Sequence, residues 1–521
     1  MIVKYLQPLT VKFSSQTTSP TWIHHNQLFQ RHPRLQLLQQ QCTKTFHIFK
    51  QLLSYVFVSG LHRNSFVMSR LLYTALMELG VETEFGVKIF CQITKPNIFS
   101  WNTMIRYFGA FGDSQSSGIA LRYYMEMLSH EMGPDTYTFP FLLQACGASS
   151  ELQLVEEVHC HVLKLGFHSD LFAQNCLLNA YLVTGSTVEA WILFDEMADK
   201  DIISWTSLIS GLVSLSEDRE ALLVFKRLMV DDCVPSPNLA TMVSTMSACG
   251  NLGSVIHTKC MHALLEKAGW VQSDTSVVNS LIDAYAKCGN LRCAKEVFDD
   301  VEDMKRDSYS WTAIISGFAI HGQGLDCLNL FSRMEQAGGF TPDAVTFLVI
   351  LSACAHSGLV EEGLCIFESM TTRYRIEPNL RHYGCIVDLL GRAGMLEQAH
   401  NIVENMPVEP NLAILGSLLS GCRLQNNLKL GEAVLRKIDS LKERGGSSVL
   451  LSNMYANENE WNKVIVLRKE MRWKMKEKPP GRSLIVVKDV MHEFVAGNKI
   501  SPQDMELQIS LEALEKLAKS Q

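Results

Sequence analysis

The chain has 521 residues, of which 47% are hydrophobic and 19% charged, a composition that excludes a disordered protein and allows a large core. The sequence has no run of about 18 apolar residues that would predict a membrane span. The net charge of -7 excludes nucleic-acid binding that depends mainly on phosphate attraction, so local chemistry would have to provide any such binding.

The N-terminal stretch has a composition of its own. Its first acidic residue is Glu78, whereas Lys4, Lys12 and Arg31 lie among Ser- and Thr-containing segments. A basic, hydroxylated and acid-poor leader is typical of an organelle transit peptide, predicted here for residues 1–32, and a disordered leader is the alternative. Because Ser and Thr are clustered rather than dominant, the leader favours the mitochondrion over the chloroplast.

A short Trp-containing segment recurs along the chain, as "SWNTMI" from Ser100, "SWTSLI" from Ser204 and "SWTAII" from Ser310. Two other kinds of segment recur between these three. One kind begins at Thr136, Leu239 and Ala344, and the other at Leu171, Thr275 and Leu380. The period of about 105 residues therefore consists of three different units of 31 to 38 residues.

Each unit has the pattern of a helical hairpin. In "NSLIDAYAKCGNLRCAKEVFDDV", Leu281, Ile282 and Tyr285 keep helical spacing, the "CGN" segment interrupts it, and Ala294 and Val297 resume it. A hairpin cannot bury its apolar face alone, so the sequence predicts an all-α solenoid of stacked hairpins. After a degenerate unit over 33–65, the predicted units begin at Phe66, Ile98, Thr136, Leu171, Ile202, Leu239, Thr275, Ser308, Ala344 and Leu380.

Cysteine usage fits a reducing compartment rather than a disulfide framework. The 15 cysteines are scattered, and four recur in similar contexts as "QACGA", "SACGN", "SACAH" and "SGCRL". We expect these four, Cys146, Cys249, Cys354 and Cys422, to be small buried packing residues.

The period alone would also fit tetratricopeptide repeats, which bind peptides. However, the "SWN/SWT" openings, the "YAKCGNL" segment and the ordered triplets resemble the pentatricopeptide repeat family, in its land-plant subclass of alternating standard, long and short repeats. The resemblance implies a right-handed superhelical repeat array over 33–411. It also implies a helical extension of the E type over 412–482, a β segment over 483–502 with a hairpin turning at Lys488 and Asp489, and a tail over 503–521.

Repeats of this family read single-stranded RNA at one base per unit. By resemblance, the readers are the fifth and the last residue of each unit. Three pairs would read uracil: Asn102 with Asp135, Asn175 with Asp201, and Asn279 with Asp307. The pair Thr206 with Asn238 would read adenine, and the pair Thr312 with Asp343 would read guanine. The long units offer Pro140, Val243 and Leu348, which cannot hydrogen-bond a base edge and are expected to act as spacers.

Two pairs, Arg70 with Asn97 and Gly384 with Asn411, depart from the family's pattern and are left unassigned. The predicted target then contains U-n-U-A-n-U-G. The alternative for each Asn or Thr is a role as helix N-cap or first-turn residue, positions that these residue types favour.

Four side chains are expected to stack on bases, with packing between repeats as the alternative: Phe99, Phe172, Ile203 and Tyr309. Phosphate contacts are expected for Lys287 and Arg392.

Some relatives carry a terminal zinc deaminase domain, which needs His-x-Glu and Pro-Cys-x-x-Cys. Neither motif occurs in this sequence, and His159 and His161 of the "HCH" segment would point apart on a helix. We therefore expect no enzyme activity, no metal and no cofactor. The resemblance implies an RNA-binding guide for cytidine-to-uridine editing that recruits a deaminase in trans through residues 412–502.

Two departures concern that docking region, since Leu415 and Leu484 stand where the family usually has Trp. Alternatives to an editing guide are a factor for RNA stability, processing or splicing, and, from another class, a protein-interaction solenoid.

Overall fold

The structure is a computed structural model that describes residues 31–35, 45–111, 113–149, 151–230, 236–300, 306–337, 340–440, 447–474, 482–487 and 490–495. Nearly all of the predicted leader and the whole predicted tail lie outside these ranges. No helix in the described ranges combines the length and apolar character needed to cross a membrane. The chain divides into two compact units, Met1–Pro342 and Asp343–Gln521, which are described separately.

The first compact unit consists mainly of α-helices in its described residues, with a π-helical segment at Thr74–Glu78. Its α-helices are α1 Phe46–Val58, α2 Ser65–Tyr73, α3 Thr83–Cys91, α4 Ile98–Gly109, α5 Ser114–Ser129, α6 Thr138–Ser149, α7 Leu152–Lys164, α8 Leu171–Val183, α9 Thr187–Glu196, α10 Ile202–Ser214, α11 Asp218–Val230, α12 Leu239–Asn251, α13 Val255–Lys267, α14 Trp270–Ser273, α15 Thr275–Lys287, α16 Leu291–Asp300, α17 Ser308–Ile320 and α18 Gly324–Ala337.

The second compact unit repeats the same arrangement and ends in two strands. Its helices are α19 Ala344–Ser357, α20 Val360–Thr372, α21 Leu380–Arg392, α22 Leu396–Asn405, α23 Leu412–Leu424, α24 Leu428–Ser440, α25 Ser447–Asn457 and α26 Trp461–Lys474. Strands β1 Arg482–Val487 and β2 Val490–Val495 pair antiparallel, with Val487 opposite Val490. The two residues between them, where the sequence predicts the turn, lie outside the described residues.

Consecutive helices form hairpins, and the first helices of successive hairpins pack against one another within each compact unit. The predicted stack of helical hairpins is therefore confirmed. Most first helices begin at the residue where the sequence repeat begins, as at Ile98, Leu171 and Ile202. The right-handed superhelical winding and the boundaries at 411 and 482 stay predictions.

The last residue of one hairpin is the N-cap of the next first helix. The Asp201 side chain, for example, accepts a hydrogen bond from the backbone N–H of Ser204 at 2.8 Å, so it satisfies a donor that the helix itself leaves open. Many first helices end in a left-handed turn, where Gly185 and Gly289 adopt φ of 81° and 77°. These two local rules set the start and the end of each first helix.

The recurring Trp fills the space between hairpins. Each of the three Trp rings packs edge-on against a Phe from the preceding second helix, in the pairs Phe90–Trp101 at 4.9 Å, Phe194–Trp205 at 4.9 Å and Phe298–Trp311 at 4.8 Å between ring centroids. The Ser before each Trp donates its hydroxyl to the N-cap residue. The "SW" segment therefore recurs because it begins a helix and anchors it to its neighbour.

The four cysteines in similar contexts lie in first helices, and the prediction that they are buried is confirmed. Each is a free thiol: Cys146, Cys249, Cys354 and Cys422. Burial raises the pKa of the Cys354 and Cys422 thiols to about 11, which keeps them neutral as packing residues require.

Candidate nucleic-acid interface

Three predicted reading pairs are joined by a direct hydrogen bond. In each pair the Nδ2 group of the fifth residue donates to Oδ1 of the last residue: Asn102 to Asp135 at 2.9 Å, Asn175 to Asp201 at 3.2 Å and Asn279 to Asp307 at 3.3 Å. The fifth residue lies one turn into a first helix and the last residue caps the next one. Stacking of adjacent hairpins brings together residues 26 to 33 positions apart.

The chemistry of the pair fixes the direction of the amide. An ionised carboxylate only accepts hydrogen bonds, so Nδ2 of Asn175 faces Asp201 and its carbonyl oxygen points elsewhere. Partial burial opposes ionisation of Asp201, but hydrogen bonds from the Ser204 N–H, the Ser204 hydroxyl and Asn175 outweigh it and hold the pKa below its usual range. The bonds from Ser204 and Asn175 all reach Oδ1 of Asp201.

The amide carbonyls of the three pairs differ in their partners. Oδ1 of Asn102 lies 2.8 Å from the hydroxyl of Thr138, which donates to it. Oδ1 of Asn175 and Oδ1 of Asn279 are buried and have no hydrogen-bond partner among the described residues. Thr138 was not among the residues predicted from the sequence, although a hydroxyl residue recurs at the third position of several units, as in Ser204 and Ser310.

The fourth pair is connected through a bridging residue. Oγ1 of Thr206 lies 2.6 Å from Oγ1 of Thr241, whose hydroxyl donates to Oδ1 of Asn238 at 2.9 Å. The Thr206 hydroxyl hydrogen is then used within the protein, toward Thr241 or toward the carbonyl of Ile202 at 2.7 Å, which leaves its oxygen as an acceptor. The Nδ2 group of Asn238 donates no hydrogen bond to a described residue.

The fifth predicted pair spans the two compact units, so each member is described alone. Thr312 donates its hydroxyl to the carbonyl of Ser308 at 2.9 Å. Asp343 caps α19 and accepts the N–H and the hydroxyl of Thr346, both at 2.8 Å. The pairing of Thr312 with Asp343 stays a prediction.

The long units carry partly buried apolar side chains at the reading position, namely Pro140, Val243 and Leu348.

The two unassigned pairs differ in their surroundings. In the first pair, the guanidinium of Arg70 lies over the ring of Phe99, 4.9 Å from its centroid, and Asn97 caps α4. The pair Gly384 and Asn411 lines an open cleft of about 590 Å³, whose polar lining also includes Arg381, Asp388 and Arg392.

The second residue of several first helices is an exposed apolar side chain. Phe172, Ile203 and Tyr309 expose 51%, 56% and 73% of their surface, whereas Phe99 is partly buried against Tyr73. Tyr137, which precedes α6, and Val345 are the second residues of their repeat units; both are also exposed, and neither was predicted from the sequence. Exposed apolar side chains at a repeated position form a row that inter-repeat packing alone does not require.

The two predicted phosphate contacts are engaged in ion pairs on their own helices. Lys287 pairs with Asp283 at 2.8 Å, and Arg392 pairs with Asp388 at 2.8 Å. Each cation is partly exposed, but its charge is offset by the neighbouring carboxylate, which weakens its attraction for phosphate.

The "HCH" segment behaves as packing rather than as a ligand cluster. Nδ1 of His159 is hydrogen-bonded to the Tyr181 hydroxyl at 2.8 Å, and Nδ1 of His161 to the Tyr124 hydroxyl at 3.0 Å. The two imidazoles therefore face opposite neighbours. Burial lowers the pKa of both. Within the described ranges, no three His, Cys, Asp or Glu side chains come together as a metal site.

Stacked helical hairpins with polar pairs aligned between neighbours define a helical-repeat protein. Residues 425–486 match the E motif, residues 306–356 match the PPR repeat family, and single PPR repeats match at 175–202, 203–233, 276–305 and 345–374. A chloroplastic/mitochondrial pentatricopeptide repeat-containing protein of Arabidopsis thaliana is 35% identical, covering 99% of this chain and 81% of that protein. The chain belongs to the pentatricopeptide repeat family and carries an E motif.

Another Arabidopsis thaliana relative, a chloroplastic pentatricopeptide repeat-containing protein, is 37% identical and covers 93% of this chain and 82% of its own length. Among solved structures, the pentatricopeptide repeat protein PPR10 in complex with an 18-nucleotide psaJ RNA element is similar, with a TM-score of 0.60. It shares 16% sequence identity over 88% of this chain and 69% of PPR10, which shows a common fold.

Proposed function

We propose that this protein binds single-stranded organelle RNA in a sequence-specific manner and acts as the site-recognition factor for cytidine-to-uridine editing. The observation that carries the proposal is the recurrence of an Asn or Thr at the fifth position of the standard and short units, linked in four of them to the Asp or Asn that ends the same unit. Such pairs present donors and acceptors at a regular spacing along the stack, which is what reading one base per hairpin requires.

The Thr206 unit shows how such a pair would select a base. The Thr206 oxygen is left as an acceptor and the Asn238 amide as a donor, which complements the N6 amino group and the N1 acceptor of adenine. Guanine presents the opposite pattern, with O6 and N1–H, and would be rejected. This complementarity supports the predicted order U-n-U-A-n-U-G for the target.

Support for RNA as the partner comes also from the relatives. PPR10, which shares the fold, was crystallised with an RNA element. In this chain the exposed row of Phe172, Ile203 and Tyr309 supplies surfaces on which bases can stack. A pure protein-interaction solenoid would have no need for polar pairs in register.

The editing role rests on the E motif at 425–486, because extensions of this type are typical of editing factors in the family. The protein would then supply recognition while a deaminase acts in trans, docked on residues 412–502. The mitochondrion is the proposed compartment, from the composition of the leader, with the chloroplast as the alternative. Two Arabidopsis thaliana relatives have names that specify these organelles.

The test is deep sequencing of mitochondrial and chloroplast transcripts from a plant that lacks the protein. Loss of editing at one or a few cytidines downstream of U-n-U-A-n-U-G, restored by the wild-type transgene, is the expected result. Unchanged editing together with a missing, unspliced or misprocessed transcript would contradict the editing role and indicate an RNA stability, processing or splicing factor.

A further inference from the structure

Three reading pairs have the same chemical composition but different hydrogen bonding. Asn102, Asn175 and Asn279 each donate Nδ2 to a carboxylate, and their carbonyl oxygens face away from it. Only the Asn102 carbonyl meets a further protein donor among the described residues, the Thr138 hydroxyl at 2.8 Å. The carbonyls of Asn175 and Asn279 are buried without a partner.

A buried carbonyl without a donor is unfavourable, and buried polar groups in proteins are nearly always hydrogen-bonded. Two such acceptors at equivalent positions of two hairpins point to a ligand that supplies the missing donors. Within the proposed RNA-binding function, the ligand donor is a base N–H. Uracil presents N3–H as a donor, whereas cytosine presents a lone pair at N3 that an acceptor repels.

The third residue of the following unit carries a hydroxyl in all three cases, but among the described residues only one of these hydroxyls reaches the Asn carbonyl. Ser204 donates its hydroxyl to Asp201 and Ser310 donates its hydroxyl to Asp307. The Thr138 hydroxyl lies at the same place, 2.9 Å from Oδ1 of Asp135, and in addition 2.8 Å from Oδ1 of Asn102. Its side chain is fully buried and lies directly against the Asn102 carbonyl.

We propose that Thr138 is a specificity-determining residue that acts through Asn102. Its hydroxyl takes the position of a base donor at the Asn102 carbonyl, so the Asn102 unit accepts uracil and cytosine almost equally. The Asn175 and Asn279 units, whose carbonyls have no protein donor among the described residues, select uracil. This inference rests on the proposed RNA-binding function and refines its target from U-n-U-A-n-U-G to pyrimidine-n-U-A-n-U-G.

The experiment measures RNA affinity of the full chain by fluorescence anisotropy. Four RNAs are used: the predicted target, and the target with cytosine replacing uracil at the nucleotide facing Asn102, Asn175 or Asn279. We expect a roughly tenfold loss of affinity at the Asn175 and Asn279 nucleotides, corresponding to one hydrogen bond, and less than about a twofold loss at the Asn102 nucleotide. Equal losses at all three nucleotides would overturn the inference without using any variant.

Substitution then tests the role of the hydroxyl. Thr138→Ala removes the group in front of the Asn102 carbonyl and should raise uracil selection there to roughly tenfold, with selection at the Asn175 nucleotide unchanged. Thr138→Val keeps the shape of the side chain without the hydroxyl and should select uracil as Thr138→Ala does. A uniform loss of affinity in Thr138→Ala, with the uracil-to-cytosine ratios unchanged, would show a merely structural role and overturn the inference. Failure of the wild-type protein to bind any of the four RNAs would instead contradict the proposed function itself.

Discussion

The Nδ2 group of Asn175 and the Oδ1 atom of Asp201 are 3.2 Å apart and hydrogen-bonded, although the two residues are 26 positions apart in sequence. The same carboxylate oxygen accepts the N–H of Ser204 at 2.8 Å and so begins the next helix. One atom therefore stabilises the fold and orients a predicted base-reading amide. Helix capping and base reading, which the sequence presents as alternatives, are compatible roles of one side chain.

Exchange of Asp201 for Asn should change base preference while preserving the helix. Asn caps helices about as well as Asp, so Asp201→Asn should alter the free energy of unfolding by less than about 1 kcal/mol. The introduced amide places a donor beside the Asn175 carbonyl, where the wild-type carboxylate offers only acceptors. The repulsion of the cytosine N3 lone pair should therefore weaken, and the facing nucleotide should change from uracil toward cytosine by roughly tenfold. RNA-binding titrations with uracil or cytosine at that nucleotide measure the change.

A matched control for this change is Asp274→Asn. Asp274 caps α15 in the same manner, but the fifth residue of its unit is Val243, which has no hydrogen-bonding group. The control should bind with wild-type base preference. A similar change of base preference in both variants would show that the N-cap residue alone determines which base is bound.

Removal of an exposed aromatic side chain should weaken binding to every RNA sequence. The Tyr309 side chain is 73% exposed, so Tyr309→Ala should leave the melting temperature nearly unchanged. Loss of one stacked base should reduce RNA affinity about 5- to 150-fold, equally for all bases at that position. Leu325→Ala, on the second helix of the same hairpin and 64% exposed, is the control, and an equal loss of affinity there would refute the assignment of the aromatic row.

An amide side chain introduced at Gly384 should make the cleft beside it selective for particular RNA bases. A Cβ at Gly384 would lie 3.8 Å from Ile414, an ordinary van der Waals contact, so Gly384→Asn can place its Cβ without a clash with another helix. Beside Asn411, the introduced amide should create a pyrimidine preference at a nucleotide that the wild-type protein reads indifferently. Selection experiments with that nucleotide randomised measure this, and Gly416→Asn, at the equivalent open position of α23, should create no preference.

Stability should fall as the pH decreases below about 6.5. Burial lowers the pKa of His159 and His161 below the value of free histidine, so the unfolded chain binds more protons than the folded chain in that range. The stabilisation is fully present above the unfolded pKa and is lost as the pH falls below it. Urea unfolding at pH 7.5 and pH 5.5 should show a smaller loss for H159Q/H161Q than for wild type, and an equal loss would contradict this origin.

The repeat pattern predicted the hairpins closely, because both helix starts and helix ends depend on local chemistry. An Asn or Asp N-cap fixes the start of a first helix, and a glycine turn such as that at Gly289 fixes its end. These signals lie within a few residues of the boundary, so periodicity and residue type were sufficient to locate it.

The hydrogen bonding of the candidate site could not be predicted in the same way. The difference between Asn102 and Asn175 depends on a residue of the next hairpin, Thr138, and on its distance from the carbonyl after packing. Likewise, the sequence showed Lys287 as a basic residue near a helix end, whereas the structure pairs it with Asp283. Contacts between side chains, across hairpins as at Thr138 or within one helix as at Lys287, decide which groups remain free to bind.

Sequence-specific RNA binding is tested most directly by selection from a randomised RNA pool with the purified full-length protein, followed by sequencing of the bound fraction. We expect enrichment of U-A-n-U-G preceded by a pyrimidine two nucleotides upstream, and loss of the corresponding uracil preference in Asp201→Asn. A bound fraction without enrichment at these positions, or an enriched sequence that Asp201→Asn leaves unchanged, would contradict it.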